Sequence, residues 1–194
     1  GIYLSGDPLE KYGWIRETAH CTDAVKFVQN ESFDGKIISV MCEITSIKLH
    51  TTKSGEKMCF LECSDGAGNF DGVVFPNLFK ITSSVLKENN FVFIRGKLDI
   101  KEKTTSIVVN SIIAIDKIEE VMQRGKLCIK ISENDKKILP DIMSVLKKYN
   151  GSAEPVFYLV DSGKYVKPKD IKGVAITEKM VEELKKIINN KKSS

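Results

Sequence analysis

The chain has 194 residues, 42% of them hydrophobic and 29% charged, with a formal net charge of +4. This is the composition of a globular protein with room for one large or two small domains. No apolar run approaches the ~20 residues of a membrane-spanning helix, and no signal-peptide pattern opens the chain. Gly1 and the polar Ser5-Gly6-Asp7-Pro8 turn read as the start of an excised fragment. The charge is unevenly spread. Residues 36–117 hold 11 Lys/Arg against 9 Asp/Glu, residues 126–194 hold 15 against 9, and the remainder holds 4 against 8. The basic excess at the C-terminal end is compatible with a polyanionic partner and equally with a solvated lysine surface. Five cysteines (21, 42, 59, 63 and 128) include no C-x-x-C pair, and the two histidines, His20 and His50, stand apart. Neither a zinc site nor any other metal or cofactor site is expected. Cys42, Cys59 and Cys63 occupy apolar strand positions, so they read as buried free thiols suited to a reducing cytoplasm.

Residues 1–35 are mixed, with Tyr3, Leu4, Leu9, Tyr12 and Trp14 showing no sustained period. They read as a linker, the end of a preceding region, that wraps on the adjoining domain, with Trp14 as a packing anchor. Residues 36–50 form a long strand in which Ile38, Val40, Cys42 and Ile44 alternate before the apolar set slips to Ile47 and Leu49. A slip in parity predicts a bulge or sharp coil. Thr51–Gly55 is a hairpin turn. Met58–Cys63 and Phe70–Phe75 are two further strands joined by Ser64-Asp65-Gly66-Ala67-Gly68-Asn69, whose glycines permit positive φ. Cys59, Leu61 and Cys63 face one side of the first of these strands; Met58, Phe60 and Glu62 face the other. Pro76 then opens a helix that the spacing of Leu78, Phe79, Ile81, Val85 and Leu86 carries towards Asn89. Val92, Ile94, Gly96, Leu98 and Ile100 alternate in a fourth strand, Lys101–Thr104 is a charged turn, and Ser106–Ile115 is a fifth strand. Three strands, a helix and two strands, with a long bent first strand, is the order of the five-stranded Greek-key β barrel called the OB-fold, placed at residues 36–117.

Residues 118–125 read as a linker. A small α+β domain comes next at 126–190, with a polar tail at 191–194. Its predicted elements are a strand at Leu127–Ile131 and a helix within Glu133–Tyr149 that Pro140 starts or kinks. Strands at Pro155–Val160 and Lys164–Lys167 flank an Asp161-Ser162-Gly163 turn. A short strand at Val174–Ile176 precedes a helix capped by Thr177. Its lysines carry no aromatic interleaving along the sequence, so protein docking and nucleic-acid contact stand equal for it.

No nucleophile elbow, phosphate-binding loop, dinucleotide fingerprint or H-E-x-x-H motif is present. Asp65 and Asp71 read as ordinary turn residues rather than as the carboxylate cluster that two catalytic cations require. Binding is better supported. OB barrels hold single strands on the face of strands 2 and 3 and through the 1–2 and 4–5 loops, using aromatic platforms for bases and cations for phosphates. Phe60 lies on the outward side of strand 2. Lys48, His50, Lys53 and Lys57 lie on or beside the first hairpin. Arg95, Lys97, Lys101 and Lys103 lie on the outward side of strand 4 and in the loop after it. Phe60 can stack a base only if residues 1–35 or another domain leave its ring open.

These residues also carry a family resemblance. YLSGDPLEKY (Tyr3–Tyr12) resembles the Y-L-x-G-H-P-L segment of the bacterial DNA polymerase III α subunit (DnaE) family. Thr51–Pro76 resembles that family's T-K-x-G-x-x-M-A-F-L-x-L-E-D stretch and the F-P beyond it. FVFIRGK (Phe91–Lys97) resembles its V-x-G-K/R strand. Asp7 stands where the family has His, Cys63-Ser64-Asp65 stands for Leu-Glu-Asp, and the tail is short and lysine-rich. The resemblance implies a non-catalytic C-terminal piece of a replicative DNA polymerase, a cytoplasmic enzyme. Its nucleotidyl-transfer aspartates would lie upstream, outside this chain. It further implies an OB domain that meets single-stranded template DNA, contacts with other domains of the polymerase, and a C-terminal domain that docks the clamp-loader τ subunit. The competing reading is a protein-interaction scaffold with little direct DNA binding.

Overall fold

The computed structural model describes residues 9–102 and 104–190. Most of the Tyr3–Tyr12 motif, Lys103 and the polar tail therefore lie outside the described residues. The chain divides into two units between Asp116 and Lys117.

The first unit is a closed barrel of β1 (Ile37–Thr51), β2 (Lys57–Ser64), β3 (Asn69–Val74), β4 (Asn90–Lys101) and β5 (Thr104–Ala114), in the order β1-β2-β3-β5-β4. All neighbours are antiparallel except β3 and β5, which close the barrel in parallel. The length of β1 makes this possible: its first half pairs with β4 and its second half with β2. The slip in parity is a bulge between Ile44 and Ser46. Before it, Ile38, Val40, Cys42 and Ile44 point into the core; after it, Ile47 packs against that core. Leu49 keeps the inward parity but is 71% exposed. A second bulge sits where Arg95 and Gly96 of β4 face Ser111 and Val109 of β5, leaving Asn110 as the extra residue. Gly96 is required there, because a Cβ would lie 2.3 Å from the Val108 carbonyl oxygen.

The N-terminal segment carries two short helices, α1 (Gly13–Thr18) and α2 (Ala24–Phe27). Ala24 and Phe27 join the barrel core, and the Phe27 ring meets the edge of Phe70 at 5.3 Å between centroids. The anchor in the barrel core is thus Phe27, fully buried, rather than the half-buried Trp14. A fully buried aromatic ring removes more apolar surface from water than a half-buried one. Asp65 does more than shape the turn. Its wholly buried carboxylate accepts the Ala67 and Gly68 N–H groups at 2.9 Å and the Ala24 N–H at 2.6 Å, with Arg16 Nη2 at 3.6 Å. One side chain thereby fixes the β2–β3 turn and ties the N-terminal segment to it.

The helix after β3 is shorter than its apolar spacing predicts. α3 covers only Pro76–Thr82, and Ile81 is 78% exposed. Two causes stop it. The Thr82 hydroxyl bonds back to the Leu78 carbonyl at 2.7 Å and two serines come after it, all residues that compete with helical hydrogen bonding. The β1 bulge also leaves backbone groups to satisfy. Asn89 N–H donates to the Ile44 carbonyl at 2.8 Å, and the Glu88 carboxylate accepts the Ile47 N–H at 3.3 Å.

The second unit contains α4 (Ile118–Gln123), β6 (Lys126–Ile131), α5 (Leu139–Lys148), β7 (Asn150–Leu159), β8 (Lys164–Val166) and α6 (Glu178–Asn190). The sheet order is β6-β7-β8, with β6 and β7 parallel and β7 and β8 antiparallel. Pro140 falls in the first turn of α5, where its missing N–H costs nothing, behind a 3-10 turn at Glu133–Ile138. β7 begins at Asn150 rather than Pro155, because Asn150 and Ala153 both bridge to Val174. Val174–Ile176 is correspondingly no strand. The Gln123 side chain holds it, accepting the Ile176 N–H at 3.0 Å and donating to its carbonyl. Thr177 caps α6 through the Met180 N–H at 3.2 Å. Glu183 of α6 accepts Lys148 Nζ and the Tyr149 hydroxyl, each at 2.7 Å, pinning α5 to α6. Among the described residues no helix is long and apolar enough to cross a membrane.

Candidate nucleic-acid interface

Pairing of β1, β2 and β3 sets the outward face of the barrel in rows. Lys48, Phe60 and Val73 form one row; Ser46, Glu62 and Asp71 form the next. The opposite parity, Cys59, Leu61 and Cys63 on β2 with Phe70 and Val74 on β3, is buried in the core. A groove of about 380 Å³ crosses these rows and is bounded on its far side by Asp99, Lys101, Thr104 and Ser106. Phe60 lies in it with 43% of its surface exposed. The His50 imidazole approaches the Phe60 ring edge-on at 6.0 Å. Phe60 and His50 offer flat surfaces for a base, and Ser46, Thr104 and Ser106 offer hydroxyls to a sugar or phosphate.

Of the cations selected by sequence, the groove gathers Lys48 and Lys101, with His50 at its edge through Phe60. Lys53 and Lys57 are exposed at the β1–β2 hairpin but do not line the groove. Arg95 and Lys97 project outward from the part of β4 that pairs with Ser39 and Ile37, and they too stand outside it. Lys97 lies beside Gly35, its Cε 3.7 Å from where a Gly35 Cβ would be. Lys103 is outside the described residues.

The groove also holds Glu62, Asp71 and Asp99, which a search for cations passes over. Lys48 Nζ lies 4.0 Å from Glu62, and Lys101 Nζ lies 2.9 Å from Asp99. Two lysines therefore face three carboxylates. Phe75 is a further residue that the sequence pattern alone did not single out. Its extended backbone (φ −70°, ψ 161°) comes after buried Val74, so its ring leaves on the Phe60 side, 50% exposed. Strict alternation from Phe70 through Val74 is the signal that marks it. Met58, expected outward with Phe60, is only 6% exposed.

Three thiols of the first unit are held in the protonated form. Burial pushes the Cys59 thiol up to about 11 and the Cys21 thiol up to about 12. A hydrogen bond with Cys63, reinforced by burial, raises Cys42 as well. Thiols held this firmly in the protonated form are poor nucleophiles. Among the described residues no group of three or more His, Cys, Asp or Glu side chains converges as metal ligands would.

Comparison with known proteins bears on this arrangement. Residues 38–115 match the family described as OB-fold nucleic acid binding domain. The DNA polymerase III subunit alpha of Bacillus subtilis (strain 168) is 25% identical over 205 residues, covering 98% of this chain and 17% of that polypeptide. The Staphylococcus aureus (strain MRSA252) protein of the same name is 31% identical over 120 residues, covering 62% of this chain and 11% of its own. Among solved structures, an aspartyl tRNA synthetase from Entamoeba histolytica shares 12% identity at a TM-score of 0.42, over 59% of this chain and 24% of that one. The chain spans about a sixth of the length of these Bacillus-type relatives; over nearly its whole length it is similar in sequence to bacterial DNA polymerase III α subunits, and its barrel is an OB-fold.

Proposed function

We propose that this segment is a non-catalytic, template-side module of a replicative DNA polymerase, in which the barrel holds single-stranded DNA. The reading rests above all on Phe60, an open aromatic ring in a groove across β2 and β3, flanked by Lys48 and Lys101. Phe60 stacks a base, His50 supports the ring, and Lys53, Lys57, Arg95, Lys97 and Lys103 serve as outlying phosphate contacts. Nucleotidyl transfer belongs to other parts of the parent enzyme, which acts in the cytoplasm. The second unit is a small α+β domain that docks a replisome partner of the clamp-loader τ type.

Fluorescence anisotropy with a labelled oligothymidylate tests the barrel. Phe60→Ala is expected to cost about 1–3 kcal/mol of binding. The carboxylates keep the salt dependence shallow, with a slope of log K on log salt no steeper than about −2, as for some three phosphates on a single strand. Absence of binding at low salt overturns the reading. The same carboxylates favour a second one, a scaffold whose groove receives a basic segment of another polymerase domain. Co-purification of the chain with the polymerase core, lost on Asp71→Lys while DNA binding is unaffected, would establish that instead.

A further inference from the structure

Along the sequence, the lysines of β6 have no aromatic neighbours on their own strand face. Strand pairing supplies them. In β6 the burial alternates strictly, with Leu127, Ile129 and Ile131 inside and Lys126, Cys128 and Lys130 outside. Lys130 pairs with Tyr158 of β7, and Tyr158 pairs with Tyr165 of β8. One row of the sheet's open face thus reads Lys130, Tyr158, Tyr165. The two rings lie 4.9 Å apart at 43°, and Tyr165 is 69% exposed. Neither phenol hydroxyl has a hydrogen-bond partner among the described residues. Beside this row, Lys126 and Lys167 both close on Glu154, Lys126 at 3.5 Å. Lys167 above all, with Lys126, holds that carboxylate below its ordinary range, and the two cations on one anion leave a positive surplus. Lys130 has no ion-pair partner among the described residues. Asp161, at the same hairpin, is occupied by the Glu133 N–H at 2.7 Å.

We infer that this open sheet face is a second contact for single-stranded nucleic acid, with Tyr165 and Tyr158 stacking bases and Lys130, Lys126 and Lys167 neutralising phosphates. Two adjoining rings with a net positive surround match a ligand that carries both π faces and negative charge. The stacking is sequence-tolerant, because every base offers a π face. The inference stands independently of the barrel.

The 194-residue chain is titrated against labelled oligothymidylate by anisotropy, as Tyr165→Ala, Tyr165→Phe, Lys130→Gln and Phe60→Ala. Tyr165→Ala is expected to weaken binding about five- to a hundredfold while Tyr165→Phe keeps it. Lys130→Gln is expected to flatten the salt slope by about 0.7. An iodouracil-substituted strand should photo-crosslink to the peptide holding Tyr158 and Tyr165. Unchanged affinity in Tyr165→Ala together with an unchanged slope in Lys130→Gln overturns the inference. Loss with Phe60→Ala alone does so while sparing the barrel reading; loss with Tyr165→Ala alone supports the inference and removes that reading.

Discussion

Two exposed sheet faces among the described residues carry the same kind of aromatic platform in different electrostatic settings. On the barrel, Phe60 sits with two lysines among three carboxylates. On the second unit, Tyr158 and Tyr165 sit in a row with Lys130 and beside two lysines that share one carboxylate. The surplus of positive charge is larger on the second face, so a phosphate chain is expected to be held more strongly there than in the barrel groove. The barrel is the face that its fold family would nominate, whereas the electrostatics nominate the other. Fold analogy points to a surface, and the charges on that surface decide how strongly a polyanion is held.

The largest expected effect removes the barrel arm of the comparison altogether. Asp65→Ala strips acceptors from three backbone N–H groups, two in the β2–β3 turn and one in the N-terminal segment. A loss of about 3 kcal/mol from the barrel is expected, since buried donors are left unsatisfied. Two separate transitions in denaturant, of which only one moves, would show that the second unit keeps its stability; a single shifted transition would mean that the units unfold together.

Phe75→Ala comes next. If the barrel platform extends along β3, the change should weaken oligonucleotide binding by about 1 kcal/mol, less than Phe60→Ala. No change in anisotropy would confine the platform to Phe60. Removing the opposing charge sharpens the contrast further. The double change Glu62→Gln and Asp99→Asn releases Lys48 and Lys101, and affinity is expected to rise about three- to tenfold at low salt, with a steeper salt slope. An unaltered slope would mean that DNA does not enter the groove.

A smaller effect separates the units by pH. Cys21, Cys42, Cys59 and Cys63 lie in the first unit, and Cys128 alone in the second. The folded barrel retains thiol protons that the unfolded chain loses near pH 9.0. Its stability from this source is complete below that value and declines as pH rises towards about 11 for Cys59 and about 12 for Cys21. Thermal melts at rising alkaline pH should show the barrel transition falling, and Cys59→Ala should flatten the fall. The smallest signal is chemical: a thiol reagent at neutral pH should modify exposed Cys128 first and the three buried core thiols only on unfolding. Fast labelling of Cys42 or Cys63 would contradict the closed barrel.

Much of the barrel was legible from local pattern. Alternation placed Cys59, Leu61 and Cys63 inside and Phe60 outside, and the slip after Ile44 announced the bulge. Thr177 was readable as a cap because capping is a matter of three residues. The early end of α3 was less so. Apolar spacing continued to Leu86, but the unsatisfied groups of the β1 bulge, some forty residues away in sequence, claimed Glu88 and Asn89.

For the candidate sites the division is sharper. Which residues are aromatic, which are charged, and which parity each holds within its own strand can be read from the sequence, because side-chain direction repeats every two residues. Which of them stand side by side cannot. That Glu62, Asp71 and Asp99 share a groove with Lys48 and Lys101, that Asp65 reaches Ala24, and that Tyr165 lies against Tyr158 in line with Lys130 were settled by cross-strand register and barrel closure. Those are long-range pairings selected by burial of the whole core, and no local period encodes them.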